Sequence, residues 1–265
     1  MPAVQLEILE AQIGNLAWKF TRPIEFQQSL AELLTFFGEQ VYRPGITIPK
    51  NAGIKFYRVP PIVIIKIEQK LTEWSKENPD AAYLLAYQLH GDTHFEPRVL
   101  AAHILGNLPA EKVEPVIELI REWSKSENNR IMLDRIFFEA SFWLRKENAE
   151  RWITLCEEWL ISTGNREMML GIRGLIPLAG DRSFINLPYI YHIITPSIIH
   201  PSIAVQNDLI DLLEVLISRT PSEVSYLLQD ILQEHNEKAV QRLVRKLLPL
   251  FPANIQTRIR QSLSE

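Results

Sequence analysis

Three prolines, Pro79, Pro97 and Pro115, stand eighteen residues apart, each where an apolar stripe of helical spacing begins. Proline is tolerated in the first turn of a helix, where its missing N–H would have no partner, and is disfavoured deeper inside. An eighteen-residue helix-plus-turn step makes a two-helix unit of about 36 residues, a typical helical-repeat length. The signature residues of tetratricopeptide repeats are absent, and the degenerate apolar pattern suits HEAT-like repeats better. No stretch alternates apolar and polar residues over a useful strand length. The expected fold is all-α: an α-solenoid, or α-α superhelix, of HEAT-like helical repeats with about 13 to 14 helices. The concave face of such an array is its default binding surface.

Read in order, Leu6, Leu9, Ile13, Leu16 and Phe20 make one helical stripe, and a second helix runs from Pro23 to Gly38. The segment 39–60 carries Pro44, Gly45, Pro49, Gly53 and Pro60, which leave no uninterrupted helical window. Its apolar members, among them Phe56 and Tyr57, favour a segment draped over the scaffold. From Pro61 helices follow with short pauses, including a continuous one over Asn129–Arg145, and Ser202 and Thr220 are placed to cap the helices they precede. One elongated domain over 1–265 is expected, with a helical pair at 1–38, an irregular linker at 39–60 and repeats at 61–265, because each repeat packs only on its neighbours.

No apolar run is long enough for a membrane span; the densest, Pro60–Ile65, ends at Lys66. The first ten residues carry Glu7 and Glu10 and no basic segment ahead of an apolar core, so no secretory signal is expected. A single cysteine, Cys156, excludes an intramolecular disulfide and a thiolate metal cluster. The expectation is a cytoplasmic protein without a membrane partner. The net charge of -4 weighs against nucleic-acid binding by bulk charge, but Glu237–Leu263 holds six basic residues (Lys238, Arg242, Arg245, Lys246, Arg258, Arg260) and one acid. A local basic patch therefore survives the global balance.

Neither a G-x-G-x-x-G nor a G-x-x-x-x-G-K loop is present, so no nucleotide cofactor is expected, and no G-x-S-x-G elbow offers a serine nucleophile. His90, Asp92, His94 and Glu96 lack zinc-protease spacing and read as a polar turn between helices; no metal or other cofactor is expected. His103 and Cys156 read as core residues. Phe137, Phe138, Phe142, Trp143, Trp152 and Trp159 are spaced as a helical core requires, although such rings also stack on bases. Asp134 is the acid singled out for chemistry. On a helix flank it can stabilise a developing positive charge, as in an oxocarbenium-like transition state, or pair with Arg130 one turn earlier.

Phe56–Leu71 (FYRVPPIVIIKIEQKL), Phe95–Leu105 (FEPRVLAAHIL) and Trp159–Leu178 resemble the DNA alkylation repair family, the HEAT-like-repeat DNA glycosylases. The resemblance implies binding of duplex DNA in a concave groove and release of alkylated purines by N-glycosidic hydrolysis. It places Asp134 at that family's catalytic acid. The aromatic residue expected one turn earlier is Arg130 here, and the expected later arginine falls near Met169, between Arg166 and Arg173. The candidate DNA contacts are thus Arg130, Arg166 and Arg173, with Arg242, Arg245 and Lys246 from the basic carboxyl-terminal patch. The alternative is a non-catalytic helical-repeat scaffold for protein–protein interaction, favoured by the acidic pI near 5.9.

Overall fold

The structure is a computed structural model and describes residues 5–39 and 53–263. The fold is all-α. The helices are α1 (Leu6–Ala17), α2 (Pro23–Glu39), α3 (Pro61–Glu77), α4 (Pro79–His90), α5 (Phe95–Leu105), α6 (Val113–Ser126), α7 (Arg130–Arg135) and α8 (Phe142–Glu147). They continue with α9 (Ala149–Leu160), α10 (Asn165–Gly180), α11 (Leu187–Ile199), α12 (Gln206–Arg219), α13 (Pro221–Glu234), α14 (Lys238–Leu247) and α15 (Ala253–Ser262). Among the described residues the one β feature is an isolated bridge between Lys55 and His94. The rest of the linker, 40–52, lies outside the described residues.

The prolines work as helix starters, with differences in detail. Pro61, Pro79 and Pro221 occupy the first position of α3, α4 and α13. The Asn78 side chain accepts from the Ala81 N–H at 3.1 Å and completes the start of α4. Pro97 and Pro115 are third residues of their helices, still within the first turn where no amide is missed. The expected caps at Ser202 and Thr220 are not formed. Ser202 Oγ donates instead to Asn165 Oδ1 at 3.1 Å, and Thr220 Oγ1 donates back to Leu216 O at 3.2 Å, so tertiary and preceding-helix partners outcompete the local amides.

The chain packs as two compact units, meeting in sequence at Glu147 and Asn148. In the first, α1 packs on α2 and α3, α2 on α4, and α3 on α4 and α5. In the second, α9 packs on α10 and α11, α10 on α12, α11 on α13, α12 on α14 and α13 on α15. Within each unit a helix thus buries its apolar stripe against helices one or two places along the chain. Val63, Ile67 and Leu71 of α3 are fully buried at steps of four, and Leu209, Leu212, Leu213 and Leu216 do the same for α12. The linker's described end is draped over the corner between α4 and α5. Phe56 lies 4.9 Å from Phe95, Tyr57 stacks on His94 at 4.2 Å, and Glu96 accepts from the Tyr57 and Arg58 N–H groups at 3.0 and 2.9 Å. Arg58 has a φ of 61°, a conformation that the two bonds to Glu96 help to hold.

The expected continuous helix over Asn129–Arg145 is instead interrupted by a π-helical turn at Ile136–Ala140. The cause is tertiary. Gly106, which follows α5, lies so close to this turn that a Cβ there would stand 1.9 Å from Glu139 O, and its own carbonyl accepts from Trp143 N at 3.2 Å. A second close approach joins α9 and α10, where a Cβ on Gly174 would meet Cys156 Sγ at 2.8 Å and one on Gly171 the Cys156 carbonyl at 2.8 Å. Trp152 Nε1 donates to Gly174 O at 3.0 Å across this contact. Cys156 is fully buried, and burial pushes its thiol well above the usual range, so it packs as a small apolar group.

Gly106→Ala should lower unfolding stability by about 3 kcal/mol, since backbone rather than a flexible side chain stands in the way. Gly14→Ala, at an interior position of α1 with nothing within 4 Å of the added carbon, should raise it by about 0.5–1 kcal/mol. Urea denaturation of the two variants reads both signs.

Candidate functional site

The short helix that carries Asp134 is fixed at its beginning by a chain of polar contacts. Arg98 of α5 donates to Glu127, Glu127 accepts from the Asn129 N–H at 2.6 Å, and the Asn129 side chain accepts from the Met132 N–H at 3.1 Å. Met132 and Leu133 point into the core, which leaves Arg130, Ile131, Asp134 and Arg135 exposed. Asp134 is therefore an exposed carboxylate; to stabilise a cationic transition state strongly it would have to be covered by the substrate.

Beyond the π turn the exposed face continues with Phe138 and Phe142. The Arg145 guanidinium lies 5.4 Å over the Phe138 ring and the Lys146 amine 4.5 Å over the Phe142 ring. Arg145 is itself nearly buried and donates to Phe137 O at 2.9 Å and Phe138 O at 3.0 Å, while Ser141 Oγ also donates to Phe137 O. These bonds satisfy carbonyls that the π turn withdraws from the α-helical ladder. Of the aromatic set, Phe137, Trp152 and Trp159 are core residues, whereas Phe138 and Phe142 are not.

The structure separates the candidate cations. Arg173 is 5% exposed and donates to Asp208 Oδ1 at 2.8 Å, with Asp211 Oδ2 at 3.6 Å; its guanidinium ties α10 to α12 inside the second unit. Arg166, the second residue of α10, is half-buried, and Arg130 is exposed. Arg242, Arg245 and Lys246 all lie on the exposed face of α14, whose opposite face buries Val240, Leu243, Val244 and Leu247. Arg245 donates to Gln241 at 3.2 Å and Lys246 to Gln206, both neutral amides.

The polar turn at His90–Glu96 does not converge on one point. Asp92 accepts from Gln27 and from both the backbone and ring of His94, Glu96 holds the linker, and His90 stacks on Trp123 at 3.9 Å with its ring nearly parallel. Among the described residues no three His, Cys, Asp or Glu side chains gather as metal ligands. Burial and the neighbouring Arg98 guanidinium hold the His90 imidazole down at about 3.

One cluster is absent from the sequence-derived candidates. Glu68 and Thr72 of α3, His103 and Asn107 from the α5 region, and Glu139 of the π turn meet in a half-buried pocket of polar atoms. Thr72 Oγ1 lies 2.9 Å from His103 Nε2, and Glu139 Oε2 lies 3.9 Å from His103 Nδ1. The order carboxylate, imidazole, hydroxyl is that of a hydrolase relay. The Thr72 hydroxyl also reaches Glu68 O, to which it donates at 3.0 Å, so the imidazole competes with a backbone carbonyl for its proton. A sequence signal does exist. Glu68, His103 and Glu139 are separated by thirty-five and thirty-six residues, close to the two-helix spacing of about 36 expected from the prolines.

No family model, curated protein or solved structure matches this chain. The site is therefore argued from its own chemistry. No described helix is long and apolar enough to cross a membrane.

His90 generates a test of acid stability. Its folded value lies below the usual 6.5, so between pH 6.5 and 3 the unfolded chain takes up a proton that the native state refuses, and stability falls as pH drops through that window. The loss should reach about 4 kcal/mol near pH 3. His90→Phe, which keeps a flat ring against Trp123, should flatten the fall in melting temperature between pH 7 and 4.

Proposed function

We propose that this chain is a HEAT-like helical-repeat protein that binds duplex DNA, with the exposed cations of α14 contacting phosphates. The observation that carries the reading is the disposition of Arg242, Arg245 and Lys246. Three adjacent positive side chains face solvent on one helix, and among the described residues no carboxylate stands within ion-pair distance of them. Phosphate neutralisation with release of counterions is the dominant source of affinity for DNA, and such a patch supplies it despite the net charge of -4. Arg130 and Arg166 are secondary contacts in this reading. Asp134 is the residue to which hydrolysis of the N-glycosidic bond of an alkylated purine is assigned: its carboxylate would stabilise the oxocarbenium-like sugar while water adds and the base departs.

The alternative, a non-catalytic scaffold for a protein partner, draws on Arg173. That arginine is committed to Asp208 inside its unit, which removes one of the cations that the DNA reading would use.

Fluorescence anisotropy of a labelled duplex across a salt series separates the two readings. Affinity should fall steeply with salt, and neutralising Arg242, Arg245 and Lys246 together should reduce the slope of log K against log salt by about 2.7, or 0.9 per phosphate contact. No binding at low salt would leave the scaffold reading. Base release from methylated duplex, abolished in Asp134→Asn with binding kept, would support the glycosylase assignment; no release by the wild-type chain would overturn it.

A further inference from the structure

The π turn at Ile136–Ala140 is an unusual local conformation, and three contacts hold it. Gly106 admits the Glu139 carbonyl, Arg145 and Ser141 satisfy the Phe137 and Phe138 carbonyls, and the Glu139 side chain reaches back toward His103 of α5. The third contact depends on where protons sit. The Thr72 hydroxyl can give its hydrogen to Glu68 O, and the Asn107 amide gives one to His103 O at 2.8 Å. Glu68 O, 3.2 Å from His103 Nε2, accepts when that nitrogen carries hydrogen, while Thr72 Oγ1 at 2.9 Å can donate or accept and Asn107 Nδ2 at 3.3 Å can only donate. On the other side of the ring Nδ1 faces the Glu139 carboxylate. A neutral imidazole with its hydrogen on Nε2 would set a lone pair against that carboxylate. An imidazolium offers hydrogen to Glu68 O and to the Glu139 carboxylate at once and sets a positive charge opposite that carboxylate.

We propose that Glu68, His103 and Glu139 form a proton-controlled latch, in which protonated His103 ties the π turn to α3 and α5 and its deprotonation releases the turn. The ionisable groups that face one another are Glu68 of α3, His103 of α5, Glu139 of the π turn and Arg135 of α7. Burial raises Glu68, and Glu139 raises it further, while His103 and Arg135 oppose the shift. Burial also presses Glu139 upward, but His103 and Arg135 outweigh it and hold the carboxyl below its ordinary value. Arg135 is 49% exposed and bonds Glu139 Oε1 at 3.3 Å, so it remains as a weaker tether once His103 is neutral. Release loosens the turn next to the helix that presents Asp134 and frees the base of the Phe138 side chain. The latch does not rest on DNA binding.

The test is hydrogen exchange of the full chain from pH 5 to 8, with the His103 ring followed by NMR in the same samples and assigned by its absence in His103→Gln. Protection factors of the amides in 136–141, corrected for intrinsic exchange, should fall about tenfold in step with loss of the His103 proton. In Glu139→Gln they should be low and independent of pH. His103→Gln should behave as the released form at every pH. Protection that does not change through the His103 titration, or a pH profile that survives Glu139→Gln, would overturn the latch. If His103→Gln fails to fold, wild type and Glu139→Gln decide the question alone.

Discussion

Most of the described helices have one apolar face and one wet face, with the central α5 covered on all sides, and the fold follows from the need to hide the apolar faces. A lone amphipathic helix of six to seventeen residues is marginal in water; here the apolar stripes are covered by neighbouring helices of the same unit. The same requirement fixes where the polar residues end up. Those on the buried side, Arg98, Arg145, Arg173 and Asp208, are paired or hydrogen-bonded, and those on the outer side stay solvated. Contacts across the stack matter most where backbones touch. Gly106 against the π turn and Gly174 against Cys156 are positions where a methyl group does not fit, and both set the orientation of the helices that follow.

The π turn concentrates the chemistry of the first unit. By inserting a residue's worth of backbone between α7 and α8 it changes which side chains face water after Asp134, and it exposes Phe138 and Phe142 in a chain whose tryptophans at 123, 152 and 159 are core residues. The carbonyls it leaves over are collected by Arg145, so a buried guanidinium serves as a cap. The neighbouring cluster around His103 couples this turn to α3 and α5 through groups whose hydrogen-bonding roles change with protonation.

Much of the helical layout was legible in the residues. The starts of α3, α4 and α13 follow from proline chemistry, and the ends of most helices fall within two residues of where the apolar stripes stop. The cap expected of Ser202 failed because Asn165, thirty-seven residues away, is a competing partner that no local rule sees. The candidate site was legible only in part. Asp134 and the cations of α14 have the exposure their helix positions imply, but Arg173 is drawn inward by Asp208, a residue on another helix. The Glu68, His103 and Glu139 cluster left a trace in its even spacing, which is weak because a single residue carries it at each step.

The sequence by itself determined that the fold is all-α, where most of its helices begin, and which face of most is apolar, because those properties depend on neighbours three and four positions away. Only the tertiary structure decided that a π turn interrupts the helix after Asp134, that Arg173 lies inside an ion pair, and that two glutamates share one histidine. These depend on how closely helices more than thirty residues apart approach, and a backbone contact through a glycine leaves no periodic signal in the chain.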